Sequence, residues 1–306
     1  MPQPDLDQYH LFLGQTVRAS DHVPAADQDQ WSAACSDDPL RFCVLGSGSG
    51  GNCSVVGQGQ QMMLIDAGFG PRATVSRLER MGVTLSQIRA ICLTHLDADH
   101  YKSAWVRTLI RWRIPVYLHE RHMDRFWSQP GSKDLHDEGL VRLFTSRAFS
   151  PIAGWTIHSL RLTAHDAQGC CAFRIHNSAG VLGYATDLGH VPDELIEHFA
   201  AVDLLAIESN YDVQMQLSSS RPWRLKQRIM GGQGHLSNEQ CLDALRRWMG
   251  SDASAGPSAV VLLHRSRQCN CPNLLRSLYD CEPRIAERLT LSDQYEPTPW
   301  ITISKK

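Results

Sequence analysis

Thr94-His95-Leu96-Asp97-Ala98-Asp99-His100 follows the apolar run Ile88–Leu93 without a break, and these seven residues decide how the rest of the chain is read. An apolar run of strand length that gives out in a histidine delivers that side chain to the rim of a sheet. On a loop leaving such a strand, His95 and Asp97 can face one cation while Asp99 and His100 face another. A surface cap or a satisfied core histidine is the ordinary explanation of one such ending. The pattern recurs, however: Leu160-Arg161-Leu162-Thr163-Ala164 runs into His165, Gly183-Tyr184-Ala185-Thr186 into Asp187, Leu205-Ala206-Ile207 into Glu208, and Val261-Leu262-Leu263 into His264. The ends of neighbouring strands sit close in space, so histidines and carboxylates far apart in sequence can meet as the ligands of a catalytic two-metal centre.

Outward from this loop, short apolar runs of strand length occur at Phe42–Leu45, Cys53–Val56, Met62–Ile65, Pro115–Leu118, Ile157–Leu162, Val181–Ala185, Leu204–Ile207 and Val260–Leu263. Helical periodicity separates some of them, at Arg72–Met81, Ser103–Arg113, Pro192–Phe199, Asn238–Met249 and Pro272–Tyr279, the last three opening at Pro or Asn as helices often do. Hairpins dominate early and helices cover the later strands, which predicts two stacked sheets with helices outside. Residues 1–39 are polar and poorly periodic and read as an N-terminal extension, with a single domain expected over 40–306. A loop is expected at Ser251–Ser258.

The loop resembles the His-x-His-x-Asp-His signature of metallo-β-lactamase-fold hydrolases, with Asp97 in place of the usual second histidine. Beyond it, LGSGSGGNCSVV (45–56), LIDAG (64–68), TAHDA (163–167), ATDLGH (185–190), ESNYD (208–212), PWRLKQRI (222–229), GHLSNE (234–239) and LLHRSRQCN (262–270) stand in the order found in the exonuclease-like YycJ/WalJ branch of that superfamily. The resemblance spans about Leu40 to Tyr279. It implies an α/β fold, the four-layer αββα metallo-β-lactamase sandwich, in which His165 completes the first metal position, Asp187 bridges the two ions and His264 completes the second. It also implies a phosphodiesterase or 5′ exonuclease acting on DNA. Two such ions lower the pKa of a shared water so that hydroxide, the expected nucleophile, exists at neutral pH. Zinc or manganese is expected, with iron also suited; the carboxylate of Asp97, a harder ligand than imidazole, turns the first position toward manganese, iron or magnesium more than a standard zinc site would. Asp99 can orient the nucleophile as well as bind metal, and His235 is the candidate proton donor to the leaving oxygen, although a histidine opening a helix can also serve as a cap.

The glycine-rich stretch needs its own reading. Gly46, Gly48 and Gly51 fit G-x-G-x-x-G, yet a dinucleotide-binding loop must open a helix, and here Asn52–Val56 followed by Gly57-Gln58-Gly59 reads as a hairpin. The glycines are therefore expected to form a tight strand-to-strand turn whose backbone approaches the metals or a phosphate, with Asp66 supporting the site from behind the ligands. Ordinary structural readings suffice elsewhere. Cys43, Cys53, Cys92 and Cys171 lie in or beside apolar runs as core thiols, and Cys269 with Cys271 lacks the second pair a zinc finger needs. His119 and His122 follow a strand but are not needed as ligands, His190 supports the site at most, and His158, His176 and His198 are expected at the surface.

A net charge of −2 on 306 residues gives no global field to hold a polyanion, so contact with nucleic acid must be local; Arg221, Arg224, Lys226 and Arg228 form the densest basic stretch. No run of about 18 apolar residues and no signal-peptide pattern is present, and a cytoplasmic protein without membrane contact is expected. Two other functions fit the same residues: hydrolysis of a small ester, thioester or lactam on the same fold, and a non-catalytic binder of nucleic acid or protein in which Asp97 records a decayed site.

Overall fold

The computed structural model describes residues 38–145, 147–163, 168–250 and 256–303. The extension expected over 1–39 lies outside them except for its last two residues, as do the first five residues of the loop expected at 251–258. Fourteen strands are formed among the described residues: β1 (Leu40–Gly46), β2 (Cys53–Gln58), β3 (Gln61–Ile65), β4 (Ile88–Cys92), β5 (Val116–His119), β6 (Val141–Phe144), β7 (Ala148–Phe149), β8 (Thr156–Leu162), β9 (Cys170–Asn177), β10 (Gly180–Ala185), β11 (Leu204–Glu208), β12 (Ala259–Leu263), β13 (Leu289–Leu291) and β14 (Ile301–Ile303). They make two seven-stranded sheets, ordered β14-β1-β2-β3-β4-β5-β6 and β13-β12-β11-β10-β9-β8-β7. Each sheet is mixed: β1, β2 and β3 form an antiparallel meander that continues in parallel through β4, β5 and β6. In the other sheet β7 to β10 are antiparallel, and β10 to β13 are parallel.

The two-residue period of a strand explains how one chain fills two cores. Leu204 and Ala206 of β11, with Val261 and Leu263 of β12, point between the sheets at Phe42, Val44, Met63 and Ile65. Their neighbours Leu205, Ile207, Val260 and Leu262 point outward, under the helices Asp193–His198, Asn238–Met249 and Pro272–Tyr279. Helix Asn238–Met249 starts where it does because Ser237 caps it, accepting from Gln240 N at 3.2 Å while the Gln240 side chain accepts from Ser237 N at 2.9 Å. Helices Pro71–Arg80 and Val106–Trp112 bury Leu78 and Leu109. The architecture is the αββα sandwich expected from the sequence.

The helix expected over 103–113 begins instead as a 3₁₀ turn, Ser103–Trp105, which sinks the Trp105 ring and lets its indole donate to Phe69 O at 2.8 Å. The nine cysteines among the described residues are all free, seven of them buried, and Cys269 packs against Tyr211 and Ile229. No helix among the described residues is long and apolar enough to cross a membrane.

His119, which closes β5, is buried against Phe144 with ring centroids 5.5 Å apart. Burial, aided by the nearby His122, Arg161 and Arg121, pushes its pKa down to about 4. The ring is therefore neutral in the fold but takes up a proton near pH 6.5 once the chain unfolds, so stability is lost as pH falls from about 6.5 toward 4. Urea unfolding followed across that interval should show His119→Phe removing roughly 2 kcal/mol of the acid-induced loss. An unchanged acid limb would show that other groups carry it.

Candidate metal centre

Both sheets end their central strands at one rim. From the first sheet, β3 runs into Asp66 and β4 through Leu93 and Thr94 into His95; from the second, β10 leads to Asp187, β11 closes on Glu208, and β12 leads to His264. A backbone hydrogen bond from Cys171 N to Thr94 O at 2.9 Å ties the two sheets together beside the rim. Asp66, Asp187 and His264 adopt left-handed backbone conformations, with φ of 64°, 55° and 52°. Such conformations cost non-glycine residues energy and persist where the surrounding structure fixes them.

Three groups of ligand-type atoms, each within 4.8 Å of one another, result: His95, His100 and Asp187; Asp99, His100 and His264; and Asp187, Glu208, His235 and His264. His100 sits at the junction. Its Nδ1 lies 2.8 Å from Asp66 Oδ2 and its Nε2 lies 2.9 Å from Asp187 Oδ2. Asp66 is fully buried and also accepts from Thr94 N at 2.8 Å and from the Thr94 hydroxyl, so it locks both the ring and the strand end from behind. Asp99 Oδ2 is 3.4 Å from His264 Nε2.

The glycine-rich turn between β1 and β2 supplies Asn52 rather than a bare backbone cradle. Asn52 Oδ1 accepts from Ser47 Oγ at 2.8 Å and Gly48 N at 2.9 Å, while its Nδ2 reaches His100 Nε2 at 2.9 Å. Ser47 in turn accepts from His264 N at 2.7 Å. The approach of this turn to the histidine loop depends on Gly68, where a Cβ would stand 1.8 Å from Asp99 O.

Glu208, fully buried, collects four donors: His235 Nδ1 at 2.8 Å, His264 Nδ1 at 3.0 Å, Leu188 N at 2.5 Å and Leu236 N at 3.2 Å. Asn210 Nδ2 donates to His264 O at 2.7 Å and also lies 3.0 Å from His264 Nδ1, but an amide NH₂ only donates, so Glu208 is the group positioned to accept the Nδ1 proton of His264. His235 also lies 3.4 Å from Asp187 Oδ1 through the same Nδ1. The cap of the following helix is Ser237, so capping does not account for His235.

Asp97 stands apart from the three groups. Its Oδ2 is 3.9 Å from His95 Nε2, and its Oδ1 is 2.5 Å from Nη2 of Arg125. His165 lies outside the described residues. His119 and His122 join none of the three groups, and the exposed ring of His190 donates from Nδ1 to Gly232 O at 3.0 Å. Of the residues that hold the site together, Asn52 was hidden in a glycine run. Glu208 was visible as a strand-end acid but belonged to no metal signature, and Arg125 carried no signal at all.

The beta-lactamase superfamily domain matches residues 61–264, two thirds of the chain, and the match contains this entire rim from Asp66 to His264. The chain belongs to the beta-lactamase superfamily. Within it, the sequence is 29% identical over 237 residues to the exodeoxyribonuclease YycJ of Bacillus anthracis, covering 78% of this chain and 86% of that protein. It is 27% identical over 241 residues to the exodeoxyribonuclease WalJ of Streptococcus pneumoniae, with the same coverage. Among solved structures, the metallo-β-lactamase fold protein YhfI of Bacillus subtilis superposes with a TM-score of 0.62 at 18% identity, over 85% of this chain and 99% of that one. The protein is thus a hydrolase of the metallo-β-lactamase superfamily, a group whose fold implies divalent metal ions.

The donor set suits that group. Asp66, Asp187 and Glu208 bring three carboxylates into a space where each is at most 1% exposed, and buried anions need positive partners. Burial would raise the Asp187 pKa, but His264 and His100 beside it hold it well below the usual carboxylate range. Burial would likewise lower His100 and His264, yet Asp66 and Asp187 keep the first well above the ordinary imidazole value, and Asp187, Asp99 and Glu208 lift the second to about 10. Protons thus balance the carboxylates in the metal-free chain. A divalent cation would displace those protons and supply the same charge, which is how such sites couple metal binding to proton release.

Proposed function

We propose that this superfamily member is a metal-dependent phosphodiesterase acting on DNA, with 5′ exonuclease action, and that it works with two divalent cations. The observation that carries the reading is the place of Asp187, buried in one ligand-type group with His95 and His100 while His100 also belongs to a second such group with Asp99 and His264, its Nε2 2.9 Å from Asp187 Oδ2. A carboxylate so placed can hold two cations close together, the arrangement that suits an in-line displacement at phosphorus. The names borne by the two relatives supply the substrate class.

In this reading His95, Asp97 and His165 serve the first position, Asp99, His100 and His264 the second, and Asp187 bridges. Bound cations supply Lewis acidity to the phosphoryl oxygens and a nucleophilic water at neutral pH. The chain's own groups do the rest. Asp66 and Glu208 fix the tautomers of His100 and His264 by accepting their Nδ1 protons, so that each Nε2 faces the carboxylates of the centre. His235, its Nδ1 held by Glu208, would pass a proton to the leaving oxygen through Nε2. Zinc or manganese suits the mixed imidazole and carboxylate set.

The test is degradation of 5′-phosphorylated single-stranded and duplex DNA by chelator-stripped protein reloaded with manganese or zinc, beside a nitrophenyl phosphodiester reporter and a panel of small esters. Metal-dependent release of nucleotides from the 5′ end, abolished by chelator, is expected. Metal-loaded protein inert on DNA and reporter alike, or active on the esters alone, would remove the proposal.

A further inference from the structure

Arg125 sits on a five-residue helix, Met123–Trp127, whose Met123 and Phe126 are buried. The Phe126 ring packs on Tyr101, with centroids 6.2 Å apart, and Tyr101 follows His100 and bridges to Ala67. The helix is therefore clamped to the loop that carries His95 to His100, and its Arg125 Nη2 reaches Asp97 Oδ1 at 2.5 Å. Both side chains are partly shielded, Arg125 being 32% and Asp97 23% exposed, so the pair is only moderately screened.

The two carboxylates of this loop face different kinds of group. Asp99 Oδ2 lies 3.9 Å from His100 Nε2 and 3.4 Å from His264 Nε2, imidazoles that are themselves ligand-type groups, whereas Asp97 is paired with a guanidinium, which cannot bind a metal. The charge on Arg125 is permanent, because a guanidinium does not deprotonate in proteins. A cation approaching His95 and Asp97 therefore meets a fixed like charge bonded to its own ligand, whereas a cation approaching Asp99, His100 and His264 meets side chains that can all turn to it as ligands. We infer that the two metal positions are unequal: the ion at Asp99, His100, Asp187 and His264 is held tightly, the ion at the His95 and Asp97 position is held loosely, and Arg125 sets the difference. The inference rests on the reading of the rim as a two-cation centre and adds an order of filling, with Arg125 as a positioning residue that keeps Asp97 from committing fully to metal.

Calorimetric titration of manganese into chelator-stripped protein tests this, with metal analysis after gel filtration as a second readout. The wild type should show two separated dissociation constants and keep one equivalent through the column. Arg125→Gln should tighten the weaker constant by about tenfold or more, the scale of about 1.4 kcal/mol, leave the tight constant unchanged and keep close to two equivalents. Arg125→Lys, which retains the charge, should keep the constants apart. The unchanged tight constant and the circular dichroism spectrum report that Arg125→Gln is folded. Two equal constants in the wild type, or a weaker constant that Arg125→Gln leaves unmoved, would overturn the inference while leaving the metalloenzyme reading intact. A wild type that binds no manganese or zinc at all would instead overturn that reading together with this one.

Discussion

Asp187→Ala is expected to eliminate turnover and to leave the protein unable to keep its metal through gel filtration, the largest single effect on activity in the chain. The carboxylate is 1% exposed and contacts His100 Nε2 at 2.9 Å, His235 Nδ1 at 3.4 Å and His264 Nδ1 at 3.7 Å, so its removal takes the shared member from two ligand groups at once. Losing a group that merely orients a ligand costs roughly 10–100-fold in metal affinity or activity, and the loss of a bridging ligand should exceed that range. Its φ of 55° offers a control. Asparagine tolerates the left-handed backbone as aspartate does, so Asp187→Asn keeps the turn and removes only the charge, whereas alanine is strained there as well. Metal content by elemental analysis and nucleotide release from DNA should fall together in both variants. Should Asp187→Asn keep two equivalents of metal and near-normal turnover, the bridging role is wrong.

The strands that deliver the site were legible because each is an apolar run stopped by a residue that cannot belong to a core. Ile88–Leu93 before His95, Val181–Ala185 before Asp187 and Val260–Leu263 before His264 carry that pattern within a few residues, and the sheets place their ends together. β9 was harder to read. Phe173 and Ile175 point into the core while Arg174 and His176 interrupt them, and nothing within Cys170–Asn177 separates a half-covered strand from a loop. Helix Trp223–Met230 leaves Trp223 62% exposed and buries little besides Lys226 and Ile229, so no apolar stripe announced it. Three-residue β13 and β14 are defined by their neighbours alone. The same limit hid Arg125: its partner Asp97 lies 28 positions upstream, and only the packing of Phe126 on Tyr101 brings them together.

Glu208 carries the second large effect, this time on stability as well as on metal. Glu208→Ala leaves His235 Nδ1, His264 Nδ1 and the N–H groups of Leu188 and Leu236 without the acceptor they share, in a position with no solvent to replace it. Removing one partner from a buried charged pair costs about 3–5 kcal/mol. For a domain of this size each kcal/mol moves the melting temperature by about 2–4 °C, so a fall of roughly 10 °C is expected in a thermal scan of metal-free protein. Glu208→Gln separates the two roles. The amide keeps the volume and one acceptor oxygen, so most of the stability should survive, but its NH₂ cannot accept the Nδ1 proton of both histidines, and their tautomers are released. Manganese affinity should then weaken by roughly 10–100-fold. If Glu208→Gln binds manganese as the wild type does while Glu208→Ala still melts early, Glu208 is a structural acceptor only. The orientation of His264 toward Asp99 would then have to come from Asn210 and the Ser47 hydroxyl that holds the His264 backbone.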